Sequence, residues 1–158
     1  MNWEAAGAIG EIVGAAAVVA TLVYLAVQIR QSSRIASVQA SQHVLEGAAE
    51  LQARIAGDED LRRIFASGCR SYDALEGGDR QRFNAIIGEY LMRFEVQTQM
   101  HEAGMLNHDN FAAARRGVVR LLSQPGARDV CERAITAGVP SDRFKAIIES
   151  ILESLPRT

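Results

Sequence analysis

The chain has 158 residues, 48% of them hydrophobic, with 17 basic and 19 acidic groups and a formal net charge of −2. That length holds one helical domain with a modest core beside a membrane segment, and the balanced charge argues against general nucleic-acid binding, which needs a basic face. Cys69 and Cys131 have neither a CxxC pattern nor a histidine at ligand spacing, so they read as reduced packing residues rather than a disulfide framework.

Residues 5–29 form an apolar run in which Glu11 is the only charge. At about 1.5 Å of rise per residue, residues 9–29 reach roughly 31 Å, one hydrocarbon thickness. Arg30 and Arg34 follow at once, and no Lys or Arg precedes the run. The start, Met1-Asn2-Trp3-Glu4, is acidic and aromatic, and the run is too long for the core of a secretory signal. A retained anchor is expected, with its N-terminus outside and residues 30–158 in the cytoplasm. Trp3 and Tyr24 are spaced as interfacial aromatics. The alternative is a long core helix of a soluble protein, since eight alanines make the run only moderately hydrophobic. The charge divides in the same way: Glu4 and Glu11 precede residue 30, and 17 basic and 17 acidic groups follow it. Sixteen of those bases are Arg, which with the abundant Ala fits a GC-rich bacterial genome.

Beyond the run, helical periodicity continues and strand signals are poor. A first helix is expected over residues 3–56. A second starts at Asp58-Glu59-Asp60, buries Leu61, Ile64 and Phe65, and stops at Gly68. After a connection over residues 71–78, Asp79 is expected to cap a long helix that buries Phe83, Ile86, Ile87, Tyr90 and Phe94. Gly104 ends it, with Met105 and Leu106 closing over the end. Asn107 caps a helix with the stripe Phe111, Val118, Leu121 and Leu122. Residues 123–126 form a turn, and a short helix carries Val130, Cys131, Ala134 and Ile135 to Gly138. Ser141 caps the last helix, which buries Phe144, Ile147, Ile148, Ile151 and Leu155 until Pro156.

Gly7, Gly10, Gly14, Ala17 and Thr21 recur at alternating intervals of three and four, the seam of a left-handed helix pair. Gly10 and Gly14 also make a GxxxG, and small residues are a main route to helix association in lipid. The register continues through Tyr24, Gln28, Gln31, Ile35, Val38, Gln42, Leu45, Ala49 and Gln52, which suits a parallel homo-oligomer. Glu11 flanks this seam. It reads either as an interfacial residue favoured by the helix start or as an ion site where several copies converge.

Elsewhere, Asn84, Gly88, Leu91 and Glu95 share a helix face. Glu95 is expected to be half-buried and to take an arginine partner, such as Arg93. Arg115, Arg116 and Arg120 make a basic stripe, solvated or facing an anionic lipid or acidic partner. His101-Glu102 and His108-Asp109 flank the Gly104 turn without a recognised ligand spacing, so no metal or cofactor is expected. No nucleophile elbow, P-loop, dinucleotide fingerprint or paired-carboxylate signature occurs, so no catalytic residue is assigned and an enzyme is not expected.

The opening GAIGEIVGAAAVVATLVYLAVQIRQ, then Arg82-Phe83-Asn84, Arg93-Phe94-Glu95, Gly104-Met105-Leu106 and LLSQPG over residues 121–126, resembles an uncharacterised family of short bacterial proteins. Its members have one N-terminal membrane helix and a helical cytoplasmic domain, and the resemblance implies fold and placement but no activity. Where members are aromatic-rich after the Arg93-Phe94-Glu95 motif, this chain reads Val96-Gln97-Thr98-Gln99.

The expectation is therefore an all-α protein, with a transmembrane helix at 1–29, a helical stalk at 30–57 and a cytoplasmic helical bundle at 58–158. It would sit in the bacterial inner membrane among lipid, self-associate through its first helix, and display a non-enzymatic scaffold, sensor or partner-binding domain. The alternative is a small homo-oligomeric ion pore with Glu11 near its outer mouth.

Overall fold

A computed structural model describes residues 3–156, and the side chains of all of these except 3–6, 8 and 9. Trp3, expected as an interfacial aromatic, and Glu4 thus have side chains outside the described residues. The order is α1 (Trp3–Gly57), α2 (Glu59–Arg70), a 3₁₀ turn at Tyr72–Ala74, α3 (Gly77–Glu102), α4 (His108–Leu122), α5 (Pro125–Thr136) and α6 (Asp142–Ser154). The fold is all-helical, with no strand among the described residues. Contacts divide the chain into two units, Met1–Gln39 and Ala40–Thr158.

In the first unit, α1 has no face that the rest of the unit covers. Every large aliphatic side chain between residues 12 and 29 is exposed, from 46% at Leu25 to 70% at Ile12. The helix is long and apolar enough to cross a membrane, with a mean hydropathy of 2.3 in an 18-residue stretch of which none is buried. Local hydrogen bonds serve its polar groups. Thr21 Oγ1 donates to the Ala17 carbonyl at 2.8 Å, and Gln28 Nε2 to the Tyr24 hydroxyl at 2.7 Å.

The second unit is organised on α3. Phe83 and Ile87 enter one core cluster with Ile64, Leu75, Leu121 and Ala127. Phe94 enters a second with Val118, Leu122, Phe144, Ile148 and Ile151. Ile86 packs with Leu51 and Ile55 of α1 in a third. The part of the expected stalk after Gln39 is thus within this packed unit, because Ala40, Leu51 and Ile55 at helical spacing are buried there.

The helix ends follow local rules, with three exceptions to expectation, one being that Pro125 and Gly126 open α5 rather than complete the turn expected over residues 123–126. Asp58, Asn107 and Ser141 cap α2, α4 and α6 by accepting from Leu61 N, Asn110 N and Phe144 N. Gly104, at φ +71°, ends α3 in the left-handed region that glycine tolerates, and Met105 N and Leu106 N return to the Met100 carbonyl. Asp79, by contrast, lies inside the first turn of α3 and not at its cap. There it accepts from both terminal nitrogens of Arg63 at 3.1 Å, which ties α3 to α2.

Gly68 does not stop α2, which runs two residues further. It is buried in the helix because a Cβ there would meet the Phe83 ring at 2.5 Å. Gly126 of α5 comes closer still. A Cβ on it would overlap the Gly68 carbonyl oxygen and lie 2.9 Å from the Tyr72 nitrogen. Two glycines therefore set how near α5 and α2 can approach. Cys69 and Cys131 are buried free thiols, and burial pushes them up to about 11 and about 12, as packing residues require.

Glycines at a close contact and in open space should respond oppositely. Gly126→Ala should cost about 1–3 kcal/mol, because backbone cannot rotate away from a new methyl. Gly88→Ala, where a Cβ meets nothing within 4 Å, should be neutral or gain up to about 1 kcal/mol of helix propensity. Urea unfolding followed by circular dichroism measures both. Equal destabilisation by the two changes would contradict the α2–α5 contact.

Candidate functional site

α3 is apolar on two sides. Its inward side carries Phe83, Ile87, Phe94 and Thr98, all buried. On its other side Gly88, Met92, Val96 and Met100 follow one another every fourth residue and lie along a groove of about 970 Å³. One wall is His43 and Val44 of α1, and the other is Ile135, Val139 and Phe144 from α5, the following turn and α6. Met92, Val96 and Val139 are exposed by 64%, 49% and 76%, more than water-facing side chains of this kind require. Residues between 43 and 148 build this cavity entirely within the second unit.

Two carboxylates line it, and their surroundings differ. Glu89 Oε1 accepts from Nε and Nη2 of Arg93 at 3.1 and 2.7 Å, while its Oε2 accepts from Nη2 of Arg54 on α1. The hydrogen bond from Arg93, opposed by partial burial and reinforced by Arg54, holds Glu89 below the ordinary carboxylate range. Gly47 makes room for this: a Cβ there would overlap the Arg93 guanidinium. The Glu89–Arg54–Arg93 triad thus joins α1 to α3.

Glu95 is half-buried, as expected, but no arginine reaches it. Arg93 is drawn one turn back to Glu89, the favourable i,i+4 order on a helix. Glu95 Oε1 instead accepts from the Ser141 hydroxyl at 2.5 Å, and the same Ser141 oxygen caps α6. One serine therefore fixes both the start of α6 and the carboxylate of the groove.

The other expected positions are scattered. Gly7, Gly10 and Gly14 lie on open surface, since a Cβ at each meets nothing within 4 Å. Ala17, Thr21 and Glu11 are likewise exposed. Further along α1, the stripe that packs within the second unit is Ala40, Val44, Gly47, Leu51 and Ile55. At about 100° per residue, that stripe lies roughly 150° around the helix from Gln42, Leu45 and Ala49, which stay exposed. Gln52 is the exception, as its amide donates to the Tyr90 hydroxyl at 2.8 Å. Arg115, Arg116 and Arg120 are exposed on α4 and form no ion pair among the described residues. His101 stacks on Phe111 at 4.3 Å and its Nδ1 lies 3.0 Å from the Leu106 carbonyl, which accounts for it as a closure of the α3–α4 turn. No group of three or more His, Cys, Asp or Glu side chains among the described residues could hold a metal ion.

No protein-family model matches the chain, and neither a curated protein nor a solved structure matches it significantly.

Two measurements check this electrostatic layout. Glu89 has its folded pKa lowered, so its contribution is present above the unfolded value and is lost as pH falls through the carboxylate range. Glu89→Gln should remove that part of the acid dependence and cost about 0.5–1 kcal/mol at pH 7. Ser141→Ala should cost about 1–2 kcal/mol, through the lost α6 cap and the lost donor to Glu95. Unfolding midpoints measured between pH 4 and 7 report both.

Proposed function

We propose that the chain is a single-pass inner-membrane protein that self-associates through its first helix and displays its helical second unit to the cytoplasm as a non-enzymatic scaffold or partner-binding module. The observation that carries this reading is the unburied apolar surface of α1 between residues 12 and 29. At about 25 cal/mol per Å², leaving so many large aliphatic side chains in water would be very unfavourable, and lipid covers all faces of a helix at once. The flanking charge supports an orientation. From residue 12 to residue 45 the chain has no acidic group, and Arg30 and Arg34 stand just after the apolar stretch. A bacterial origin rests on the same resemblance and composition as before.

The open glycine face supports self-association. Gly7, Gly10 and Gly14 have free space over them, and the expected register continues on the side of α1 turned away from the packed stripe of the second unit. A second α1 can approach closely over these glycines. The groove of the second unit is the surface suited to a partner.

Placement is tested with fusions and washes. A C-terminal fluorescent reporter should be active and a C-terminal periplasmic phosphatase inactive, and the chain should stay with membranes through high salt and alkaline carbonate. Recovery of the intact chain as a detergent-free soluble species would overturn the reading.

Association is tested separately by counting copies in mild detergent. Gly10→Leu and Gly14→Leu should weaken it by about tenfold or more, since each puts bulk into a backbone contact, while Ala15→Leu and Ala16→Leu should be milder. Equal effects at all four positions would remove the proposed seam.

A further inference from the structure

The groove of the second unit contains one charge that the protein itself does not compensate. Glu89 is held by two arginines, and His43 lies 3.7 Å from Glu46. Arg143 pairs with Glu102, away from the groove lining. Glu95 receives only the Ser141 hydroxyl, and among the described residues no cation stands within ion-pair distance of it. A half-buried carboxylate with one hydroxyl donor keeps acceptor capacity open to a cationic group. Next to it lie exposed Met92, Val96 and Val139, which soluble packing leaves uncovered. The two irregularities adjoin, because Glu95 and Val96 are neighbours in sequence and both line the groove.

We infer that the groove binds a small cationic amphiphile, its ammonium or guanidinium head set against Glu95 and its apolar body laid along Met92, Val96 and Ile135. The volume, about 970 Å³, falls in the range of small-molecule sites, roughly 300–1,000 Å³. The lining has the usual composition of such sites, mostly apolar walls with a few polar groups that fix orientation. Unbranched, polarisable Met92 and Met100 can adapt to bodies of different shape. An anionic head would meet Glu95 with like charge, and a neutral one would leave it uncompensated, so the charge selects the head group. Gly88 keeps the floor low, with free space above its Cα. The inference adds the ligand's chemistry to the partner-binding role proposed above, yet uses no residue before His43, so it stands or falls separately from membrane placement.

The full chain in lipid nanodiscs would be titrated calorimetrically with octylamine, 1-octanol and octanoate, with empty nanodiscs subtracted. Octylamine should bind about tenfold more tightly than 1-octanol, the scale of one charge-assisted contact, and octanoate should bind most weakly. Glu95→Gln, whose carbonyl can still accept from Ser141, should lose that tenfold for octylamine and leave 1-octanol unchanged. Gly88→Leu should weaken both by at least tenfold while keeping the unfolding midpoint, and it decides the matter alone should Glu95→Gln fail to fold. Equal binding of the three probes, or octylamine binding indifferent to either substitution, would overturn the assignment. So would a basic Leu/Lys helical peptide that occupies the groove, and is blocked by Gly88→Leu, when octylamine does not bind.

Discussion

The second unit depends on the burial of one side of α3. Phe83, Ile87 and Phe94 are 1% exposed or less, and between them they reach both larger core clusters. Phe94 stacks on Phe111 at 5.9 Å and meets Phe144 edge-on at 5.8 Å, so α4 and α6 are positioned on a single ring. Phe83 does the same for α2, where its ring fills the space that Gly68 leaves. Each such ring contributes about 1.5–3 kcal/mol by burial alone, and together they exceed any single ion pair on the surface. Beyond that face, α5 is the other shared partner, packing on both α2 and α4.

The same helix explains where the groove comes from. A 26-residue helix offers more surface than its shorter neighbours α2, α4, α5 and α6, of 12–15 residues, and its outer row stays open. The part of α1 after Gln39 approaches α3 near Ile86 and Tyr90, and Arg54 secures it to Glu89. That leaves Gly88 to Met100 as a trough between α1 and the α5–α6 turn. The trough is apolar by composition and carries a carboxylate by position. The core and the groove thus lie on opposite sides of one element.

Charge in this protein organises more than it stabilises. Most of its ion pairs are on the surface, where each contributes little, and many lie within one helix, but some polar contacts act as links: Arg63 joins α2 to α3, Arg54 joins α1 to α3, and the Arg128 guanidinium donates to the Pro156 carbonyl. Glu95 stands outside this pattern because its nearest arginine in sequence is already engaged. A side chain left over after such pairing is a better pointer to a ligand than the count of charges would be.

How much was legible in the residues differs by scale. Local features were readable because neighbouring residues decide them: Asp58, Asn107 and Ser141 cap through their own side-chain oxygens, Gly104 turns through its missing Cβ, and the apolar stripe of α3 follows from a period of 3.6. The apolar run before Arg30 was equally plain, since length and hydropathy are properties of the sequence itself. Gly68 and Asp79 were read from the same local rules as a stop and a cap, but tertiary contacts overrule them. Phe83 occupies the space above Gly68, and Arg63 takes Asp79. Likewise the partner of Glu95, the triad at Glu89 and the approach of Gly126 to Gly68 join residues 35 to 58 positions apart, and no periodicity encodes which distant helix arrives. The groove had one sequence signal, a row of apolar residues every fourth position on the side of α3 away from its core stripe. Only the packed unit shows that nothing covers it, because exposure is a property of what the other helices leave behind.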